Sequence, residues 1–230
     1  MVGELPRDYL EVVREHLLRA PPASSTPYHR GRRSPAGLRL ERGLTDIELG
    51  RLERDHGLRF PSDLRSLLRL MLPVHPDFPD WRNDAADELA KDEEWLLRGI
   101  WGDVDGHDYF AMNERQEWEL VPWQCRTWYE AWGPAPRDRE AAYAIVCDRF
   151  QQAPRLIRIY AHRFMPATPC EAGNPVFSVI QTDIIHFGND LASYLHNEFG
   201  VPLPDWAATA PKPVPFWDTL VHEEGFIRNW

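Results

Sequence analysis

Residues 44–81, with Gly43 ahead of them, read GLTDIELGRLERDHGLRFPSDLRSLLRLMLPVHPDFPDW and predict two helices that carry their own start and stop signals. Thr45 as N-cap and Glu48 three residues later form a capping box, in which each side chain accepts from the other residue's backbone N–H. Leu44 and Leu49 fall at the positions of a hydrophobic staple. Gly57 stands where a left-handed residue ends a helix, and Leu58 can then fold back onto Leu52. Pro61 belongs in the first turn of the second helix, where a missing N–H costs nothing. Leu64, Leu67, Leu68 and Met71 give that helix one apolar face. Trp81, closing the run, is expected as a buried anchor between the second helix and a sheet.

Working outward, Leu5 to Arg19 predicts a helix with Leu10, Val13, Leu17 and Leu18 on one side. Residues 20–43 are rich in Pro, Ser, Gly and Arg and read as a linker or surface loop. The domain division expected is therefore 1–43, an N-terminal helix with a Pro/Arg-rich linker, followed by a domain over 44–230. An acidic helix is expected from Asp84 to Leu97, and Asp105-Gly106 predicts a hairpin or loop after it. Trp118, Trp123, Trp128 and Trp132 mark an irregular stretch in which buried packing is preferred to a sugar-stacking platform, with Trp128 and Trp132 able to share a helix face. AAYAIVCDRF, PRLIRIYAHRFMP and NPVFSVIQTDIIHF read as strands, being short and rich in β-branched and aromatic residues. Leu191, Tyr194, Leu195 and Phe199 line a later helix capped by Asn189 or Asp190, and PKPVPFWDTLVHEE offers a last short one. Helices grouped ahead of consecutive strands point to an α+β fold.

Composition bounds the function classes. The chain has 230 residues, a net charge of −10 and 43% apolar residues, which suits one sizeable domain with a packed core. No apolar run approaches the roughly 20 residues of a membrane helix, so no membrane partner is expected. Glu4, Arg7 and Asp8 stand where a signal peptide would be apolar, which gives a cytoplasmic address by default. Cys125, Cys147 and Cys170 are too far apart for a zinc site or a disulfide framework and are expected as buried small hydrophobes. Residues 77–108 hold eleven acids against Arg82, Lys91 and Arg98, a local −8. Such a segment repels nucleic acid and attracts a basic partner, although from charge alone a solvated acidic face is the preferred reading.

Catalytic signatures are sparse. The chain lacks GxGxxG, a P-loop, GxSxG and HExxH. Asp103-Val104-Asp105-Gly106-His107-Asp108 fails the EF-hand pattern, because Trp101 and Met112 would occupy two carboxylate positions, so a solvated turn without metal is expected. His162 and His186 fall in expected strands and, with Asp183, make the least favoured reading, a hydrolase; no nucleophile lies beside them. No cofactor is expected, and the chain is read as a non-enzyme.

Gly57, the Phe60-Pro61 helix start, Pro79-Asp80-Trp81, LIRIYAHRFMP at 156–166, NPVFSVIQTDIIHFGNDLASYLHNEF and PFWDTL together resemble the SUKH superfamily of SMI/KNR-like proteins. Asp183, Gly188, Leu191 and Tyr194 sit at the centre of the closing strand–Gly–helix signature. The resemblance implies a curved, mostly antiparallel sheet flanked by helices and a ligand-binding concavity. It also implies a non-enzymatic role, either immunity against a polymorphic toxin, often a nuclease, or regulatory scaffolding. Gly57, Pro61, Trp81, Asp183, Gly188 and Tyr194 are then structural positions of the motif. With the acidic segment, the expectation becomes an immunity protein that occludes a basic toxin surface through Asp84, Asp87, Glu88, Asp92, Glu93, Asp103 and Asp105. The alternative is a scaffold with no toxin partner.

Overall fold

The computed structural model describes residues 3–19, 37–83, 85–105, 109–112, 118–121, 127–221 and 226–228. Leu10, Val13 and Leu17 recur at helical spacing and are buried along α1 (Arg7–Arg19), as is Tyr9, while Leu5 is buried just ahead of it; Leu18, expected beside them, is instead 56% exposed. β1 (Arg39–Arg42) precedes α2 (Asp46–His56). The capping box of α2 is present: Glu48 N donates to Thr45 Oγ1 at 3.2 Å and Thr45 N donates to Glu48 Oε2 at 2.7 Å. Gly57 ends α2 at φ +59°, with its own N–H reaching Arg54 O at 3.3 Å and that of Leu58 reaching Glu53 O at 3.1 Å. Pro61 is the N-cap of α3 (Ser62–Leu70), one place ahead of its expected position inside the first turn. Leu64, Leu67 and Leu68 are buried on α3, but Met71 has left the helix. It opens β2 (Met71–Val74), which pairs antiparallel with β1 so that Arg39 faces Val74 and Arg42 faces Met71.

α4 (Ala85–Asp105) is followed by β3 (Tyr109–Met112) and β4 (Trp118–Val121), an antiparallel pair, and by β5 (Thr127–Tyr129). Asp105, expected in a hairpin or loop, closes α4, and Gly106 lies outside the described residues. AAYAIVCDRF, expected as a strand, lies inside α5 (Arg139–Gln152). Asp138 caps this helix by accepting from Glu140 N at 3.0 Å. Only Ala142 and Val146, one turn apart, are buried, so a narrow stripe anchors it; a short apolar run cannot by itself distinguish the two structures.

β6 (Leu156–Tyr160), β7 (Arg163–Pro166), β8 (Val176–Ile180) and β9 (Asp183–Gly188) form a four-stranded sheet in that order. The pairs β6–β7 and β7–β8 are antiparallel, with an irregularity between Arg158 and Tyr160. α6 (Leu191–Phe199) starts at Asp190, whose side chain accepts from Ser193 N at 2.7 Å. α7 (Trp217–Val221) and β10 (Phe226–Arg228), which pairs antiparallel with β5, complete an α+β fold. Among the described residues no helix is long and apolar enough to cross a membrane.

The contacts divide the chain into two interleaved units. Unit 1 is Met1–Ala90, Arg155–Ser178 and His186–Lys212; unit 2 is Lys91–Pro154, Val179–Ile185 and Pro213–Trp230. Both α1 and β1, assigned from sequence to an N-terminal extension, are thus counted with unit 1 rather than set apart at residue 43. The core of unit 1 gathers Leu49, Phe60, Leu68, Trp81, Ile157 and Phe199 among others, with Phe60 and Trp81 edge-on at 5.3 Å. Trp81 therefore is the buried anchor that the sequence suggests.

Unit 2 is built on aromatic rings. Trp128 and Trp132, 5.5 Å apart edge-on, meet from β5 and a 3-10 turn rather than from one helix face. Both are buried, which leaves neither ring face available as a sugar platform. Trp128 Nε1 donates to Gly133 O at 2.8 Å and Trp217 Nε1 to Pro154 O at 2.7 Å, so the indole N–H groups are satisfied inside the unit.

Candidate functional site

Leu89, Leu96, Ile100 and Val104 recur at helical spacing along α4 and are buried, which sets which of its remaining residues meet solvent. Lys91, Glu94, Trp95 and Arg98 then form the exposed crest, with Asp92 and Glu93 half-buried on its flanks. Glu94 and Arg98, four residues apart, stand 4.0 Å from each other, and Trp95 is 45% exposed. The crest is therefore an indole among charges of both signs, not a uniformly acidic strip.

The seven acids proposed from sequence separate into three groups. Asp84 lies outside the described residues, and Asp87 and Glu88 fall in the first turns of α4 where only the backbone is described. Asp92 and Glu93 are within reach of solvent. Asp103 and Asp105 are 6% and 7% exposed and are engaged by unit 2 itself, which corrects their expected role as partner contacts. Asp103 Oδ2 accepts from Thr182 N at 2.9 Å and from Thr182 Oγ1, tying the β8–β9 turn to the helix. Burial pushes the Asp103 carboxyl up, the two Thr182 bonds oppose this, and nearby Asp183 adds to the rise. Asp105 holds Arg139 of α5 in a two-point ion pair, Nε to Oδ1 at 2.6 Å and Nη2 to Oδ2. The guanidinium also lies 5.8 Å over the Trp101 ring, which meets Tyr143 edge-on at 5.0 Å. Nothing local to Asp103-Val104-Asp105 announces these partners, which lie 79 and 34 residues away. Glu94 and Trp95, which sequence reading did not single out, have the greater access to solvent.

Of the motif positions, Gly188 and Tyr194 are buried and Asp183 is not. Gly188 is buried where a Cβ would stand 2.6 Å from Tyr194 N, so close passage of β9 against α6 requires glycine. Tyr194 is buried with no hydrogen-bond partner for its hydroxyl among the described residues, and burial raises its pKa well above the ordinary value. Asp183 is exposed at the start of β9.

Strand alternation places Asp183 and His186 on opposite faces of β9. His186 packs on the Phe177 ring at 5.1 Å. His162 occupies the turn after β6 rather than a strand; burial, and then the adjacent Arg163 charge, push its imidazole down to about 4. Among the described residues no group of three His, Cys, Asp or Glu side chains is placed to hold a metal ion. Cys147 is half-buried and Cys170 exposed, unlike the buried thiols expected, and Cys125 lies outside the described residues.

Unit 1 contains a separate concavity of about 340 Å³ beside the β1–β2 pair. Leu72, Pro73, Val74, Pro76, Phe78 and Pro79 supply its apolar lining, and Arg39, His75 and Asp80 its charged or polar groups. Comparison with protein-family models, with curated proteins and with solved structures finds no match to this chain.

Proposed function

We propose that this chain is a cytoplasmic, non-enzymatic protein-binding module of the SUKH (SMI/KNR-like) kind, which neutralises a basic toxin domain by covering its charged surface. The observation that carries the reading is the solvent-reachable run Asp92-Glu93-Glu94 beside half-exposed Trp95 on α4. Acids of this kind accelerate encounter with a basic surface, and a central aromatic ring supplies contact area once it is covered. The order of sequence motifs that resembles the superfamily supports the same class of role. With Asp103 and Asp105 removed from the contact set, the proposed surface is smaller than the −8 segment suggests.

The test begins with a pull-down from source cells on the immobilised wild-type chain. Association of the captured protein is then timed for wild type and for a variant carrying Asp92→Lys, Glu93→Lys and Glu94→Lys, once circular dichroism shows the variant folded. The expected result is a roughly tenfold lower on-rate at low salt and a flatter salt dependence. An unchanged on-rate with an unchanged salt slope overturns the electrostatic reading, and a captured protein without toxin activity moves the role to scaffolding.

A further inference from the structure

We propose that the groove beside β1 and β2 is a binding site for a small apolar molecule bearing one carboxylate, with Arg39 as the group that receives it. The groove lies wholly within unit 1 and shares no residue with the α4 surface.

The groove has its shape before any ligand arrives. β2 is held in register by β1, with Arg39 opposite Val74 and Leu40 opposite Pro73. The turn that follows is pinned at both ends: Phe78 N donates to His75 O at 2.9 Å and Trp81 N to Pro79 O at 3.0 Å. Ala161 N donates to Asp77 O at 2.6 Å, fastening the middle of the turn. Pro73, Pro76 and Pro79 each fix a backbone torsion and contribute no N–H. A site already in its bound shape avoids the ordering cost of forming on contact. Its volume of about 340 Å³ lies within the range of small-molecule sites.

Charge selects the ligand. The cations near β1 are taken up inside the unit: Arg42 pairs with Glu48 at 2.9 Å, and Arg82 donates to Glu41, Glu48 and Arg42 O. Asp80 is also occupied, accepting from Arg82 N and from the backbone and side-chain N–H groups of Asn83. Arg39 is among the residues that line the groove, is exposed, and its side chain has no hydrogen bond or ion pair among the described residues. A guanidinium presents a planar fork of donors that matches a carboxylate at two points. Among the described lining residues Arg39 is the one arginine or lysine, and the Asp80 charge lies in the same lining, which favours a monoanion over a phosphate dianion. The remaining surface, Leu72, Val74 and Phe78 between prolines, suits an apolar body.

The test uses 2-naphthoate as the probe, with neutral 2-naphthamide and inorganic phosphate as comparison arms. Each is titrated into the full chain and into Arg39→Gln, following the backbone amide NMR signals of Gly37, Val74 and His75. The expected result is saturable naphthoate binding at these positions, roughly three- to tenfold tighter than naphthamide, with phosphate weaker than both. The modest ratio reflects an exposed cation. Arg39→Gln should bring naphthoate down to the naphthamide level and leave naphthamide unchanged. Equal affinity for naphthoate and naphthamide in the wild-type chain overturns the proposal, as does naphthoate binding indifferent to Arg39→Gln or the absence of any saturable shift at the groove.

Discussion

α2 and α4 are both rich in acids, and the fold treats the two sets differently. In α2 none of the acids is buried and each pairs with arginine: Glu48 caps the helix through Thr45 and meets Arg42 and Arg82, Asp46 and Glu53 meet Arg65, and Asp55 meets Arg51 one turn away at 3.3 Å. In α4 they divide, with Asp92, Glu93 and Glu94 reaching solvent while Asp103 and Asp105 are buried against Thr182 and Arg139. A run of like charges in a sequence is thus not yet an electrostatic surface. Burial decides which members project a field and which hold the fold together.

The structural side of this contrast rests on the run leading to Trp81, and truncating that side chain should have the largest effect. Trp81 is 5% exposed and edge-on to Phe60 in the core of unit 1. Trp81→Ala removes the ring and leaves a cavity that neighbouring helices fill only in part, at a cost of roughly 3–5 kcal/mol. Urea unfolding of wild type and variant measures it. A loss below about 1 kcal/mol would mean that the indole is not an anchor.

The extent to which the sequence displayed these features follows from the range of the interactions. Caps, the left-handed Gly57 and the Leu stripe of α3 involve residues within a turn or two, so their signals are adjacent in the chain. Asp190, given as one of two possible caps for α6, takes that position for the same reason. AAYAIVCDRF was ambiguous because eight to ten apolar-rich residues satisfy either period when only one stripe of two side chains is buried. Asp103 and Asp105 could not be sorted from Asp92 and Glu93 by pattern, since their partners come from the β8–β9 turn and from α5. The groove at Arg39 was likewise hidden: its lining comes from two strands and a turn, and Arg39 stands apart only once its neighbours Arg42 and Arg82 are seen with their carboxylates.

Asp103 offers the sharper probe of the buried class. Asp103→Ala leaves Thr182 N–H and O–H without their acceptor, at a cost of about 1–3 kcal/mol, whereas Asp103→Asn keeps an oxygen in place and should cost less. The pH dependence is equally specific. Because burial raises the folded-state carboxyl above its unfolded value, its contribution to stability is fully present below the unfolded pKa of about 3.9 and is lost as pH rises through the folded one. Urea unfolding between pH 4 and 7 should therefore show a decline in wild type that Asp103→Asn flattens. Parallel curves for the two proteins would place Asp103 among the solvated acids and undo the contrast with Glu94.

The smallest effect belongs to α2, and it has the opposite sign in pH. Thr45→Ala removes the side chain that receives Glu48 N–H and should cost about 1 kcal/mol by the same unfolding measurement. Glu48 then keeps Arg42 and the Thr45 backbone N–H as donors, so the helix start weakens without being lost. The Arg42 guanidinium first, and then the Thr45 backbone and hydroxyl donors, hold the Glu48 carboxyl far below the ordinary range. A depressed folded-state pKa contributes stability above the unfolded value that is lost as pH falls through the folded one, so this share disappears on acidification, where that of Asp103 appears. Glu48 is solvent-facing, so salt should shrink its share while leaving that of Asp103 nearly intact. Measuring Glu48→Gln and Asp103→Asn across pH at low and high salt therefore separates an acid that works at the surface from one that works in the interior. Equal salt sensitivity of the two would show that burial does not distinguish them.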